Sequence, residues 1–164
     1  MATNRGKQFE EQIREAFEKM PNTSVTRLID PQNGYAGVRN ICDYIVYNFP
    51  IQYFIECKSC YGNTLPFSNI TKNQWDGLLE KSDIEGVVAG YMIWFIDHDR
   101  TIFVPAKIMA MCKGMGEKSY NIKHPWFSGI EIEGTKKRVL FDYDMTNFLK
   151  ECEDKLWHKL SLTK

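Results

Sequence analysis

Asp43, Glu56 and Lys58 are residue types that can work together on a phosphodiester. Glu56 follows Asp43 by thirteen positions, and the two lie in runs rich in β-branched and aromatic residues, 42–47 and 51–58, joined by Asn48-Phe49-Pro50. Such runs read as two strands with a short link. If Asn48 pairs with Ile51, counting outward places Asp43 opposite Glu56, with Cβ atoms about 4.5–5.5 Å apart on one sheet face. Period-two alternation then puts Lys58 beside Glu56 and Cys57 on the other face. The register is an assumption, and a one-residue slip would break it.

Opposed carboxylates repel, and one should bind a proton more tightly unless a cation intervenes. Mg2+ resolves that conflict with hard oxygen ligands, taking one or two carboxylates plus waters and phosphate oxygens. The lysine is then placed to orient or deprotonate an attacking water, or to neutralise a pentavalent phosphate. Such a site suits in-line phosphodiester hydrolysis. The plain alternative is a strand edge with a Glu-Lys ion pair and an unrelated Asp, and spacing alone favours it because E-x-K is common. The apolar run Tyr53-Phe54-Ile55 weighs the other way, since charges at its end need a reason.

The remaining elements must bring these groups together. Gly6 to Met20 is predicted as a helix with Phe9, Ile13 and Phe17 inward, and Ser24 to Ile29 as a short strand. Residues 30–41, rich in turn signals, form a loop or extended excursion. Cys60 to Pro66 is expected as a loop, followed by a helix over 71–81 capped by Asn69 or Thr71. Gly86 to Ile96 is a nearly continuous apolar strand with both faces buried. Thr101 to Val104 returns beside it, and Pro105 opens a helix to about Lys113. Phe127 to Ile132 and Arg138 to Tyr143 make a hairpin around Gly134, and 144–160 is a final helix. The sum is an α/β fold, an α+β mixed sheet flanked by helices, in one domain over 1–164.

Composition narrows the function classes. The 164 residues carry 21 Lys+Arg against 21 Asp+Glu, so a passive DNA coat working by bulk positive charge is disfavoured. An enzyme with a local basic face is not. No apolar run reaches the roughly 18 residues that span a bilayer, and Met1 to Gln8 holds no apolar signal segment, so a cytoplasmic protein without membrane attachment is expected. Five cysteines, an odd number, suggest free thiols. Cys57-Lys-Ser-Cys60 matches C-x-x-C, but it lacks the second pair a zinc site needs, and His98, His124 and His158 are scattered.

At this point the chain resembles a known family. Asp43 with Glu56-Cys57-Lys58 looks like the PD-(D/E)xK nuclease core, a restriction-endonuclease-like fold. More narrowly, the chain resembles RecU-type Holliday junction resolvases. Arg5-Gly6-Lys7-Gln8-Phe9-Glu10 resembles the family's opening helix, with Glu four residues after Gly. Cys42-Asp43-Tyr44 resembles its T-D-Y, and Glu56-Cys57-Lys58-Ser59 its E-A-K-E/S. Leu65-Pro66-Phe67-Ser68-Asn69-Ile70, with Gln74 following, resembles its F-P-L-x-N-x…H-Q segment. The likeness covers roughly residues 5–133. It implies a homodimeric, Mg2+-dependent endonuclease that cuts four-way DNA junctions with symmetric nicks, with Mn2+ expected to substitute. It implies Asp43 and Glu56 as metal ligands, Lys58 as catalytic lysine, Glu10 as the helix carboxylate completing the site, and Gln74 as a less secure member. The family's junction-entering stalk would map to about 30–41, where the residues do not match closely. Cys42 stands where the wider superfamily has Pro.

Glu10 sits nearer the buried helix face than Glu11, which favours it over its neighbour. Gln74 either touches the scissile phosphate, buttresses Lys58, or is a plain surface amide. Arg5, Lys7, Arg39 and Lys72 are candidates for a phosphate-contacting face. Tyr35 and Tyr61 either stack on unpaired bases or pack. A restriction-like or repair nuclease acting on other branched or duplex DNA, and a non-catalytic binding module with a relic site, are the competing functions.

Overall fold

A computed structural model describes residues 4–29, 39–125 and 128–162. Positions 30–38 of the expected stalk, Tyr35 among them, and Phe127 lie outside these residues. The elements in chain order are α1 (Arg5–Glu18), β1 (Thr23–Arg27), β2 (Tyr44–Asn48), β3 (Ile51–Cys60), β4 (Thr64–Pro66), α2 (Lys72–Lys81), β5 (Val87–Phe95), β6 (Arg100–Pro105), α3 (Ala106–Gly114), β7 (Ser119–Asn121), β8 (Ile130–Lys137), β9 (Leu140–Asp144) and α4 (Thr146–Leu162).

Seven strands form one sheet in the order β1-β2-β3-β5-β6-β8-β9. β3 and β5 run parallel, and the other neighbouring pairs are antiparallel. This puts β3 and β5 inside the sheet, which is why both are apolar on two faces rather than alternating. On one face, Phe9, Ile13 and Phe17 of α1 and Phe148 and Leu149 of α4 pack with Tyr44, Val46, Tyr53, Ile55 and Trp94. On the other, Leu78 of α2 and Met109 of α3 pack with Phe54, Tyr91, Ile93 and Phe95. Helices therefore cover a mixed sheet on both sides, the expected α/β class.

Two stretches differ from expectation. Residues 60–66 do not end as a loop. Thr64–Pro66 forms β4, which pairs antiparallel with β7 in a separate ribbon. Leu65 and its partner Tyr120 are both buried there, and a three-residue strand is too short to show a period. The β8–β9 hairpin turns at Arg138-Val139, not at Gly134. Lys137 pairs with Leu140, and Arg138 takes the left-handed conformation at φ 54°. Gly134 instead lies inside the ladder opposite Tyr143, where an added Cβ would stand 2.9 Å from Tyr143 Cδ1. That glycine marks a close approach of an aromatic ring, not a bend.

A second glycine couples the fold to the chemistry. Gly77 lies in the interior of α2, where glycine is a poor helix former. A Cβ there would meet the side chain of Ile41, lying 2.8 Å from its Cβ and nearer still to Cγ2. The bare backbone lets the chain entering Asp43 press against α2. Asn73 Nδ2 ties down the same stretch, donating to the carbonyls of Arg39 at 2.5 Å and Asn40 at 3.2 Å. Gly77→Ala should therefore lower the melting temperature, although alanine is the better helix former by about 1 kcal/mol. A thermal melt in which this variant is more stable than the parent would show that the contact is dispensable.

Candidate active site

The β2–β3 register is Asn48 with Ile51 and Tyr44 with Ile55. The ladder ends at Tyr44–Ile55. Beyond it the Asp43 N–H donates to the Ile55 carbonyl at 3.0 Å, one residue off register. The expected direct pairing of Asp43 with Glu56 is therefore not formed, although the two carboxyls lie close enough for each charge to act on the other. Cys57 faces the α1 side of the sheet, while Glu56 and Lys58 point to the α2 side. Asp43 Oδ2 accepts a 2.7 Å hydrogen bond from the Cys57 backbone N–H, which fixes its carboxylate. Lys58 Nζ lies 2.8 Å from Glu56 Oε1.

Gln74 joins the cluster from α2. Its Nε2 donates to Glu56 Oε1 at 2.6 Å, and its Oε1 accepts from Lys58 Nζ at 3.4 Å. The same Oε1 accepts from the Thr71 N–H at 3.1 Å, and Thr71 Oγ1 accepts from the Gln74 N–H at 3.3 Å. This reciprocal capping box holds the amide in place before any ligand arrives. Thr71-Lys72-Asn73-Gln74 is that motif in the sequence. Gln74 is thus a buttress of Glu56 and Lys58 and not a plain surface amide.

Glu10 approaches from α1, on the opposite side of the sheet, with its side chain 26% exposed. Glu11 is 45% exposed and ion-pairs with Arg14 instead. Arg27 of β1 lies 3.9 Å from Glu10 Oε2. No sequence motif marks Arg27, because its place depends on pairing with Tyr44 across β1 and β2. Among the described residues, no three His, Cys, Asp or Glu side chains come together as a metal-holding group. The Asp43 charge acts on Glu10 from across the sheet end.

Electrostatics are strained at this centre. Glu56 is 3% exposed, and its pKa is pushed up to about 8, first by burial and then by the Asp43 charge, with Lys58 opposing. Burial also raises Asp43, against the Cys57 N–H and Lys58, which pull it down. Glu10 is raised by burial and by Asp43, with Arg27, Lys58 and Lys7 opposing. Three carboxyls thus hold protons more tightly than in water, chiefly because burial disfavours their charged forms. Two neighbouring carboxyls, Glu56 buried and Asp43 half-buried, are oxygen donors of the kind a small hard divalent cation takes.

The four candidate basic residues fall into two groups. Arg5 and Lys7 lie in the first turn of α1, where a Cβ on Gly6 would stand 3.8 Å from Ser59 Oγ, next to Lys58. Arg39 and Lys72 line a depression at the start of α2 with Thr71, Asn73 and Asp76, and Lys72 is ion-paired with Asp76. Tyr61 is 63% exposed, with the Arg5 guanidinium 6.0 Å from its ring centre. Cys57 and Cys60 sit three apart on one strand, so they belong to opposite cores and cannot chelate one ion.

No family model and no curated protein sequence matches the chain. Among solved structures it is similar to Hjc, a Holliday junction resolvase from the archaeon Archaeoglobus fulgidus determined at 1.6 Å. That match has 19% identity and a TM-score of 0.47, and it covers 63% of this chain and 78% of that one. No helix among the described residues is long and apolar enough to cross a membrane.

The raised Glu56 affinity has a measurable consequence. The folded protein keeps this proton up to about 8, while the carboxyl's ordinary value is 4.5. Folding therefore takes up a proton between those values, and stability of the metal-free protein falls as pH rises through them. Melts in a chelator at pH 5.5 and pH 8 should show this loss, and Glu56→Gln should abolish most of it. Equal pH slopes in parent and variant would mean that Glu56 ionises normally.

Proposed function

We propose that the protein is a Mg2+-dependent, structure-selective DNA endonuclease that resolves Holliday junctions by paired phosphodiester hydrolysis. The observation that carries the reading is the approach of the Asp43 carboxyl, pinned by the Cys57 N–H, to Glu56, with Lys58 Nζ 2.8 Å from Glu56. A structural ion pair would need Lys58 and Glu56 alone. A second carboxyl, half-buried and pinned by a backbone N–H, only adds repulsion unless a cation sits there. The blocks resembling RecU-type resolvases lie at the same residues.

Asp43 and Glu56 would hold the ion, with Mn2+ expected to replace Mg2+. When bound, the ion supplies Lewis acidity at the scissile phosphate and a more acidic water. The chain's own groups do the rest. The Cys57 N–H holds the Asp43 carboxylate toward the ion site. Gln74 holds Glu56 in one rotamer and offers its carbonyl oxygen to Lys58. The Lys58 ammonium orients the attacking water or offsets charge on the phosphate oxygens. Glu10 completes the acidic wall on the Asp43 side. Each chain carries one such centre, so symmetric nicks on two strands call for a homodimer on the junction.

Incubation with a mobile four-way junction in Mg2+ should give paired, symmetric nicks, at rates well above those on linear duplex, flap or fork. Asp43→Asn and Lys58→Ala should each lower cleavage by at least about 100-fold, the scale for losing a charged catalytic group, while leaving junction binding intact. Unchanged cutting by either variant would remove these residues from the mechanism. Unpaired nicks or equal cutting of all substrates would point to a repair or restriction-like nuclease.

A further inference from the structure

The β8–β9 hairpin tip stands next to the start of α1, and together they enclose a depression of about 420 Å3. Its lining is Arg5, Gln8, Lys137, Arg138, Val139 and Leu140, with three cations and no carboxylate. Around it, Lys136 is paired with Asp99 at 2.5 Å, and Lys137 and Lys19 share Asp142 at 2.9 and 2.7 Å. Neither Arg5 nor Arg138 has an ion-pair partner among the described residues. The rim thus keeps a surplus of positive charge in a chain whose formal net charge is zero.

Position matters as much as sign. Arg5 lies over the Tyr61 ring, just past the end of β3, and its neighbour Gly6 approaches Ser59. The depression therefore adjoins the Asp43–Glu56–Lys58 centre on the α1 side, while Arg39 and Lys72 flank it on the α2 side. Arg138 adopts φ 54° at the turn, a conformation that glycine would take without strain, yet an arginine stands there. Nothing in the local fold calls for a cation at that point.

We propose that the β8–β9 hairpin is a phosphate-clamping arm, which with Arg5 grips the backbone of a DNA duplex leaving the catalytic centre. This rests on the nuclease reading above. Guanidinium groups suit phosphate because they present paired donors. Backbone contacts of this kind position a duplex without reading its sequence.

The test is the variant Arg138→Gly, which removes the hairpin's unpaired charge and leaves the turn less strained. Binding to a four-way junction is measured in chelator across a salt series, beside single-turnover cleavage at saturating protein. The expected result is about a threefold or greater loss of affinity and a salt slope shallower by about 1, close to 0.9 for one phosphate contact. The saturated cleavage rate should stay at the parental value, and the melting temperature should not fall. Unchanged affinity and slope, with the parent still cutting junctions, would overturn the arm and spare the nuclease reading. Lost affinity without a change of slope would also overturn it. A parent that neither binds nor cuts DNA would overturn both. Parental binding to vesicles containing phosphatidylserine, lost in the variant while DNA affinity is kept, would reassign the surface to anionic lipid.

Discussion

Bringing two carboxylates together at the end of neighbouring strands is unfavourable, and burial makes it worse. Five consecutive residue pairs from Asn48–Ile51 to Tyr44–Ile55 fix the β2–β3 register up to that point. Just past it, bonds from the Asp43 N–H to the Ile55 carbonyl and from the Cys57 N–H to the Asp43 carboxylate hold Asp43 beside the strand that carries Glu56. Slipping by one residue would turn the whole β3 pattern inside out, driving Tyr53 and Ile55 from one core into the other. The hydrophobic energy of the strands thus enforces an electrostatic conflict at their end. Gln74, Lys58 and the Cys57 N–H do not remove that conflict. They give it a fixed geometry.

The centre draws on every layer of the molecule. Asp43, Glu56 and Lys58 come from the sheet, Gln74 from the helix on one face and Glu10 from the helix on the other. Each helix is placed by its own core, α1 through Phe9, Ile13 and Phe17 and α2 through Leu78. The charged groups meet where the sheet ends and both helices begin. Side chains carried on rigid elements suit chemistry requiring fixed distances. The basic residues follow the same layout, one set at each helix start.

Much of this was legible in the sequence. The Asn48-Phe49-Pro50 link defines the hairpin, and counting outward from Asn48–Ile51 gives the observed pairing as far as Tyr44–Ile55, where the ladder shifts by one residue before Asp43. The helical spacing of α1 put Glu10, not Glu11, at the core boundary, and their exposures differ in that sense. The continuous apolar run became β5. What was not legible had physical causes. β4 is too short for periodicity, and its partner β7 lies far along the chain. Gly134 carries a turn signal, but it is there because Tyr143 leaves no room for a side chain. Arg27 reaches Glu10 only through strand pairing. Gln74's double role as helix cap and carboxylate buttress needed α2 to be docked before it could be seen.

Alternation along β3 also decides how the cysteines behave. All five are buried, and burial raises the affinity of each thiol for its proton. Thiolate is the species that reacts with alkylating reagents, so the native fold should be nearly inert to them. Cys42 and Cys57 each adjoin a carboxylate of the centre, within one residue along the chain. Their labelling would therefore clock the opening of the strands that carry the acids. The protein holds an intrinsic reporter of breathing at its own chemical heart, with no foreign probe introduced.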